Sequence, residues 1–182
     1  MKHKSFVLLL VAIVVIGVSA TAAFAASPHF KHGGTPTCTI SGSGTNSTST
    51  TCTASLAGLG NEDVVLETTV SGFAVYQCQN QGGNTAPGQN KVLVGPTTTP
   101  TIIPGDEIKN GNLTFTTNPA ELSAPATVTG AEAGCPNPNW TGVNPTLTVT
   151  DIELTISQGG VLLFTCTASN PEGLTGAVAL SC

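Results

Sequence analysis

The sequence predicts an all-β protein, an antiparallel β-sandwich of immunoglobulin-like architecture with nine or ten strands and three disulfides. Short segments rich in β-branched residues, with apolar side chains at every second position, recur between clusters of Gly, Pro, Asn and Ser. No segment of the body of the chain has the apolar spacing of an amphipathic helix. Charged residues make up only 8% of the chain, far below the roughly 25% of an average domain, which argues against a helical cytosolic protein.

Residues 1–25 are predicted to be a cleaved secretory signal peptide. Lys2 and Lys4 precede a continuous apolar run at 6–18, and small residues lead to a cleavage site after Ala25. A helix of that run would be only about 20 Å long, shorter than the roughly 30 Å hydrocarbon core of a bilayer. An uncleaved anchor is the alternative, because the uncharged stretch is formally long enough. Cleavage predicts a secreted, extracellular chain that has no membrane segment after processing.

The remainder of the chain is predicted to be an arm followed by one domain. Residues 26–36 are assigned to a flexible N-terminal arm, since Gly and Pro are frequent there and little is available to bury. Residues 37–182 are assigned to a single disulfide-stapled β-sandwich domain. A domain of about 150 residues buries roughly two-thirds of its unfolded surface, enough for a genuine core.

The six cysteines predict three disulfides. All follow the signal peptide, and an even number in that context indicates an oxidising compartment. No Cys-x-x-Cys cluster is present that would favour zinc. Turn-forming residues 41–46 lie between the first two cysteines and 170–173 between the last two, so two hairpins should each place one cysteine opposite the other. The predicted pairs are Cys38 with Cys52, Cys166 with Cys182 and, by remainder, Cys78 with Cys135; other pairings are the alternative.

The strands follow from the apolar pattern. In chain order they are predicted at residues 37–39, 51–53, 63–70, 73–78, 91–94, 112–116, 126–129, 147–156 and 161–168. The alternation along 147–156 changes parity near Asp151, which predicts a β-bulge. Gly159 and Gly160 then close a hairpin to the last strand.

The charge distribution excludes a class of partners. Lysines are outnumbered two to one by carboxylates, five against ten, and Arg is absent. Removing the two lysines of the signal peptide makes the chain still more acidic. Because phosphate backbones are bound through clustered Lys and Arg, nucleic acid is not expected as a partner.

The chain is predicted not to be an enzyme, with no catalytic residue and no cofactor. After the signal peptide only His29 and His32 remain, both in the arm, where no scaffold would hold an imidazole beside a nucleophile. Neither a Gly-x-Ser-x-Gly elbow nor a phosphate-binding loop is present. Carboxylate pairs could serve glycoside hydrolysis on paper, yet such sites usually also carry several aromatic platforms.

Two acidic turns are weak candidates for Ca²⁺. Glu62 and Asp63 follow one Gly-Asn turn, and Asp106 and Glu107 follow Pro-Gly. Carboxylates on turns are the ligands that Ca²⁺ uses, but neither turn has the EF-hand spacing. A solvated acidic turn is the commoner explanation, so no metal is assigned.

Residues 79–90 form the most distinctive stretch, an uncharged loop rich in side-chain amides directly after Cys78. On a rigid scaffold such amides can hydrogen-bond a glycan or a peptide backbone. The alternative is a long hairpin connection whose amides satisfy its own turns. A disulfide between Cys78 and Cys135 would bring Trp140, which follows Cys135 closely in the sequence, near this loop. The candidate binding residues are Asn80, Gln81, Asn84, Gln89, Asn90 and Trp140.

These observations favour a secreted or cell-surface, non-enzymatic protein with a structural or interaction role, such as an envelope component or adhesin-like module. Its expected partner is an extracellular protein or glycan. One alternative is an extracellular carrier of a small apolar ligand in the cleft of the sandwich. A second is a subunit of an extracellular filament, in which the arm at 26–36 pairs with an edge strand of a neighbouring copy and the protein associates with itself.

Overall fold

The computed structural model describes residues 27–42 and 44–182, so the predicted signal peptide lies outside the described residues. This part of the chain is nearly all β, with a short 3₁₀ turn at Lys31–Gly33 and another at Gly105–Glu107. The strands in chain order are β1 (His29–Phe30), β2 (Thr37–Ser41), β3 (Ser47–Ala57), β4 (Val64–Gln79), β5 (Thr85–Pro87), β6 (Val92–Ile103), β7 (Leu113–Thr116), β8 (Ala120–Ser123), β9 (Val128–Thr129), β10 (Thr141–Gln158), β11 (Val161–Leu174) and β12 (Gly176–Ala179).

The predicted number of strands, nine or ten, is wrong: the described residues form twelve. Strands β1, β5, β8 and β12 have only two to four residues each, too short to show an alternation of apolar side chains. In the opposite direction, the two strands predicted at 63–70 and 73–78 are one continuous strand, β4. The ladders of β4 continue through Ser71 and Gly72 with a register shift.

Two antiparallel sheets make up the sandwich, which confirms the predicted fold class. In the first sheet β3 is central, with β1 and β2 along one edge and β7 and β8 along the other; β12 extends the sheet beyond β2. In the second sheet β4 and β10 are central. Strands β5 and β6 flank β4, while β9 and β11 flank β10.

The predicted bulge and hairpin in the second sheet are confirmed. Both ladders of β10 shift register between Val149 and Asp151, where the apolar alternation changes parity. Gly159 and Gly160 form the two-residue connection from β10 to β11, with φ of 56° and 80°. Positive φ at both positions is what a type I′ hairpin turn requires, and glycine adopts it without strain.

The core lies between the two sheets and is filled by large apolar side chains. Its fully buried members include Leu56, Leu66, Tyr76, Leu122, Leu147, Ile152, Leu154 and Ile156. The outer faces instead carry Thr and Ser: one row across the second sheet, in register, is Thr167, Glu153, Thr69 and Thr98. Many of the threonines therefore occupy solvent-facing strand positions, where a β-branched side chain still favours the extended backbone.

The three disulfides are the predicted pairs: Cys38–Cys52, Cys78–Cys135 and Cys166–Cys182. The first joins directly opposite residues of β2 and β3. Three disulfides among the described residues indicate folding in an oxidising environment.

The hairpin predicted between Cys166 and Cys182 is wrong, although their pairing is right. Residues 170–173 lie within the bounds of β11 as an irregularity of its ladder, which continues at Leu174 and does not fold back as a hairpin. The chain then crosses to the other sheet, where β12 pairs with β2. It returns to β11 only through a single bridge between Thr167 and Ser181. Proximity of the two cysteines therefore comes from a crossing between sheets and not from a local turn.

Residues 27–36, most of the predicted arm, lie against the domain. β1 pairs with the end of β3, and the ring of Phe30 packs on that of Phe164 in the other sheet, with ring centroids 4.6 Å apart. The backbone N–H of Leu180 donates to the carbonyl of Pro36 at 2.9 Å. The prediction of a flexible arm, made from the Gly and Pro content of this segment, did not take the apolar side chain of Phe30 into account. Among the described residues no helix is long and apolar enough to cross a bilayer.

Candidate functional site

The Cys78–Cys135 disulfide joins two loops at one end of the second sheet. The amide loop, residues 79–90, follows β4, and a turn at 129–135 follows β9. The backbone N–H groups of Gln89 and Asn90 donate to the carbonyl of Ala133 at 3.0 and 3.2 Å. The two loops therefore form one surface, as the predicted disulfide implied.

One side-chain amide stabilises the loop itself, and another ties the loop to the turn at 129–135. The Asn80 side-chain oxygen accepts from the backbone N–H of Asn84 at 2.9 Å. The Asn90 amide donates to the carbonyls of Ala131 and Glu132 at 3.3 and 3.1 Å. The Asn80 contact is the kind expected of a hairpin connection, whereas the Asn90 contacts join the two loops. The side chains of Gln81 and Gln89 are exposed and make no hydrogen bond within the described residues.

A cleft of about 430 Å³ lies beside the loop, between β5 and β10. None of the predicted amides lines it. Its polar groups are Gln77, Thr85, Asn144 and Thr146, and the Asn144 amide donates to the Gln77 side-chain oxygen at 3.1 Å. Asn144 has a φ of 49°, a left-handed conformation that Asn tolerates better than most residues. An Asn-Pro dipeptide inside a strand pattern is the sequence signal that could have located this site.

Trp140 lines a different cleft, here called the tryptophan cleft, of about 610 Å³. Trp140 is half-buried: part of it packs on the core and part lines the cleft. The other lining residues include Pro125, Val128, Thr129, Glu132 and Pro138. No residue of the amide loop lines it, so the structure separates Trp140 from the amides with which the sequence grouped it.

Glu132 supplies a fixed carboxylate to the tryptophan cleft. Its Oε2 accepts from the hydroxyl of Thr129 at 2.7 Å and from the backbone N–H of Thr129 at 2.9 Å. These two hydrogen bonds, the hydroxyl's first, hold the pKa of Glu132 below its usual value, against a small opposing effect of burial. The sequence prediction missed Glu132, although Thr-x-x-Glu at 129–132 is a recognisable capping pattern.

Tyr76 lies under the same cleft. Its hydroxyl donates to the carbonyl of Pro125, a lining residue, at 2.8 Å. Burial, and secondarily the negative charge of Glu132, raises the pKa of Tyr76. Tyr76 therefore stays neutral and anchors one wall of the cleft to the core.

The two predicted calcium turns are brought together, at the 158–160 end of the second sheet. The Oδ1 of Asp63 accepts from the backbone N–H of Gly105 at 2.8 Å, next to Asp106 and Glu107. The carbonyl of Glu62 accepts from the Gln158 amide at 2.8 Å. Across the described chain no group of three or more His, Cys, Asp or Glu side chains is placed to hold a metal ion.

Comparisons with known proteins identify no family for this chain. No protein-family profile matches it, and no curated protein matches it. Its structure is similar to part of a solved structure, the Bacteroides uniformis beta-glucuronidase, at 14% sequence identity and a TM-score of 0.35. The match covers 79% of this chain and 14% of that chain, so the chain spans a small fraction of the enzyme's length.

Replacing Thr129 with Val is expected to raise the pKa of Glu132 towards its ordinary value, because the strongest of its hydrogen bonds is lost. A carboxylate whose pKa is lower in the folded state stabilises the fold above its unfolded pKa. That contribution is lost as the pH falls through the folded pKa. NMR titration of the Glu132 side chain measures the change. Thr127→Val in the same cleft is the control, and equal pKa values in the two variants would contradict the assignment.

Proposed function

We propose that this protein is a secreted or cell-surface, non-enzymatic domain that binds an extracellular partner at its loop end. The loop end is the surface formed by the amide loop, the turn at 129–135 and the tryptophan cleft. The observation that carries the proposal is the position of Trp140, the only tryptophan of the chain. It lines an open cleft beside a fixed carboxylate and is not enclosed in the core. Large aromatic side chains of this kind are the usual anchors of binding surfaces, since they bury much apolar area and lose little conformational entropy.

Secretion is supported by the residues of the predicted signal peptide and by the disulfides. The apolar run at 6–18 with small residues up to Ala25 fits a signal-peptidase substrate. Intact-mass measurement on protein from the culture medium of its source is expected to give a chain that starts at Ala26 and is six hydrogens lighter than the reduced form. A mass that retains residues 1–25 would favour the membrane anchor.

The non-enzymatic part of the proposal is supported by the placement of the histidines. His29 and His32 lie in and just after β1, and neither lines the tryptophan cleft or the cleft beside the amide loop. His29 lines a third cleft, at the sandwich edge, whose lining includes no Asp, Glu or Lys. The carboxylate of Glu132 at the loop end is committed to Thr129 and has a lowered pKa, which makes it a poor general acid at neutral pH.

Binding is tested with fluorescently labelled protein added to intact cells of its source. Wild-type protein is expected to label the cells and the variant Trp140→Ala to label them much less. The hydrogen bonds of Asn90 and the Cys78–Cys135 disulfide still hold the amide loop against the turn at 129–135 in this variant. Circular dichroism and thermal unfolding should therefore show that the variant is folded. Leu162→Ala, an exposed apolar truncation on β11, is the matched control. Equal labelling by all three proteins would overturn the loop-end assignment.

A carrier of a small apolar ligand is a second candidate, favoured by one observation. The space between the sheets is filled, but a cleft of about 610 Å³ opens at the sandwich edge between β1, β11 and the C-terminal residues. Phe30, Phe164 and Leu180 line it, and its volume is in the range of small-molecule sites. The carrier hypothesis thus moves from the centre of the sandwich to its edge.

Native mass spectrometry of protein from its own source tests the carrier. A bound molecule lost on denaturation, and reduced in Phe164→Ala, is expected if the edge cleft carries a ligand. An unchanged mass before and after denaturation would contradict it.

The filament alternative lacks such an observation. It required a free N-terminal arm, whereas His29 and Phe30 pair with β3 of their own chain. The long edge strand β6 also carries Pro96 and Pro100, and proline on an edge strand opposes pairing with another chain. A filament is therefore not proposed.

A further inference from the structure

We propose that the tryptophan cleft binds an arginine side chain of a partner protein, with the guanidinium stacked on the Trp140 indole and hydrogen-bonded to the Glu132 carboxylate. This inference rests on the proposed binding function and names the chemistry that the partner must present. It follows from four properties of the cleft: a held aromatic surface, a carboxylate with a free oxygen, the absence of a cation among its lining residues, and apolar walls.

The backbone that carries the indole is held in place before any ligand arrives, and the core supports one side of the ring. Trp140 packs against the core on one side, and its backbone N–H donates to the carbonyl of Asn137 at 3.0 Å. Gly130 crosses so close to it that an added Cβ would lie 2.4 Å from the Trp140 carbonyl oxygen. A planar guanidinium stacks well on a fixed indole, with attraction from both the π-system and dispersion.

The carboxylate is oriented and has an unused acceptor. Oε2 of Glu132 accepts both hydrogen bonds from Thr129, whereas Oε1 accepts none within the described residues. The Thr129 contacts fix the side chain, so little rotamer entropy remains to be lost on binding. A guanidinium N–H that donates to an ionised carboxylate forms one of the stronger hydrogen bonds in proteins.

Charge favours a cation over other occupants. No lysine lines the cleft. Lys91 lies over the ring of Phe73, 4.2 Å from its centroid, and Lys109 donates to the carbonyl of Asp106. With a formal net charge of −5, the chain attracts a basic partner over long range and repels anionic membranes and nucleic acids.

The walls suit the methylene stem of arginine. Pro125, Val128 and Pro138 line the cleft with apolar surface, and long basic side chains bury their methylenes while the charged head reaches a polar group. A neutral sugar could also stack on the indole. It would gain little from the ionised state of Glu132, and this difference makes the two ligands separable by experiment.

The probe is a fluorescein-labelled hexapeptide of alternating Gly and Arg, acetylated and amidated at its ends, measured by fluorescence anisotropy. The matched probe replaces each Arg with citrulline, which has nearly the same shape but no charge. We expect the citrulline peptide to bind at least about tenfold more weakly, because a charged hydrogen bond and the cation–π attraction are both lost. A lysine peptide should bind several-fold more weakly than the arginine peptide, since it cannot stack.

Glu132→Gln is expected to weaken binding of the arginine peptide about tenfold and to reduce its dependence on salt. This variant keeps an acceptor for Thr129 and therefore the shape of the cleft. Glu121→Gln, which removes one exposed charge on β8, is the control and should bind as wild type does. Quenching of intrinsic indole emission by the unlabelled peptide would locate the ligand, because Trp140 is the only source of that emission.

Three results would overturn the inference: equal affinity for the arginine and citrulline peptides, equal affinity of wild type and Glu132→Gln, or quenching by a neutral chito-oligosaccharide in the absence of peptide binding. Failure here is distinguishable from failure of the proposed function. If labelled wild-type protein still binds cells and Trp140→Ala does not, the loop end binds a partner of other chemistry. If neither cells nor peptide are bound, both proposals fail.

Discussion

Replacing both Cys78 and Cys135 by alanine is expected to lower the free energy of unfolding by about 4 kcal/mol, the largest loss expected for any one of the three disulfides. The bond closes a loop of 57 residues, and the entropy that a disulfide removes from the unfolded chain grows with loop length. It also holds the amide loop against the turn that carries Thr129 and Glu132. Equilibrium denaturation in urea, under non-reducing conditions, measures the change.

The matched control is the double alanine variant of Cys38 and Cys52. Their sequence separation is 14, so the chain-entropy account predicts a smaller loss of about 3 kcal/mol. Only the variant at 78 and 135 should also change the emission of Trp140, because only that bond supports the loop end. A loss at 38 and 52 that exceeds the loss at 78 and 135 would show that loop length does not govern these disulfides.

Much of the fold could be predicted because apolar and polar side chains alternate along a β-strand, and this alternation is visible in the sequence. The parity change at Asp151 and the paired glycines at 159 and 160 act locally, over two or three residues, and both predictions are confirmed. The four strands that were missed, β1, β5, β8 and β12, have only two to four residues and little room for an alternation. The crossing of β12 to the other sheet was missed for another reason: residues 170–173 have the composition of a turn, but the ladder of β11 resumes at Leu174 before the chain leaves for the other sheet.

The candidate site was harder to predict than the fold. The sequence pointed to amides, and the structure shows Asn80 bonded within its own loop and Asn90 bonded to the neighbouring turn at 129–135. Trp140 was identified from its chemistry alone, whereas its neighbour Glu132 was not. Placing Glu132 beside Trp140 requires knowing that β9 pairs with β10. No local sequence pattern predicts that pairing.

Truncating Leu154 to alanine is expected to lower the free energy of unfolding by about 3 kcal/mol. Leu154 is fully buried, with 0% of its surface exposed, in the part of β10 that pairs with strands on both sides. Its register partners are Thr68 on β4 and Cys166 on β11, so the cavity would open beside two other buried side chains that the ladders hold in place. Loss of both transfer energy and packing contacts follows, because such a site relaxes only partly. Urea denaturation measures the change.

Leu162→Ala on β11 is the chemically identical control. Its side chain is 61% exposed, so the same truncation should cost less than about 0.5 kcal/mol. The contrast separates the two sources of stability in this chain. Small secreted domains can depend on disulfides where the core is insufficient, but a large loss at Leu154 with the disulfides intact would show that the packed space between the sheets stabilises the sandwich in its own right. A loss at Leu154 as small as that at Leu162 would mean that the disulfides, not the core, hold the two sheets together.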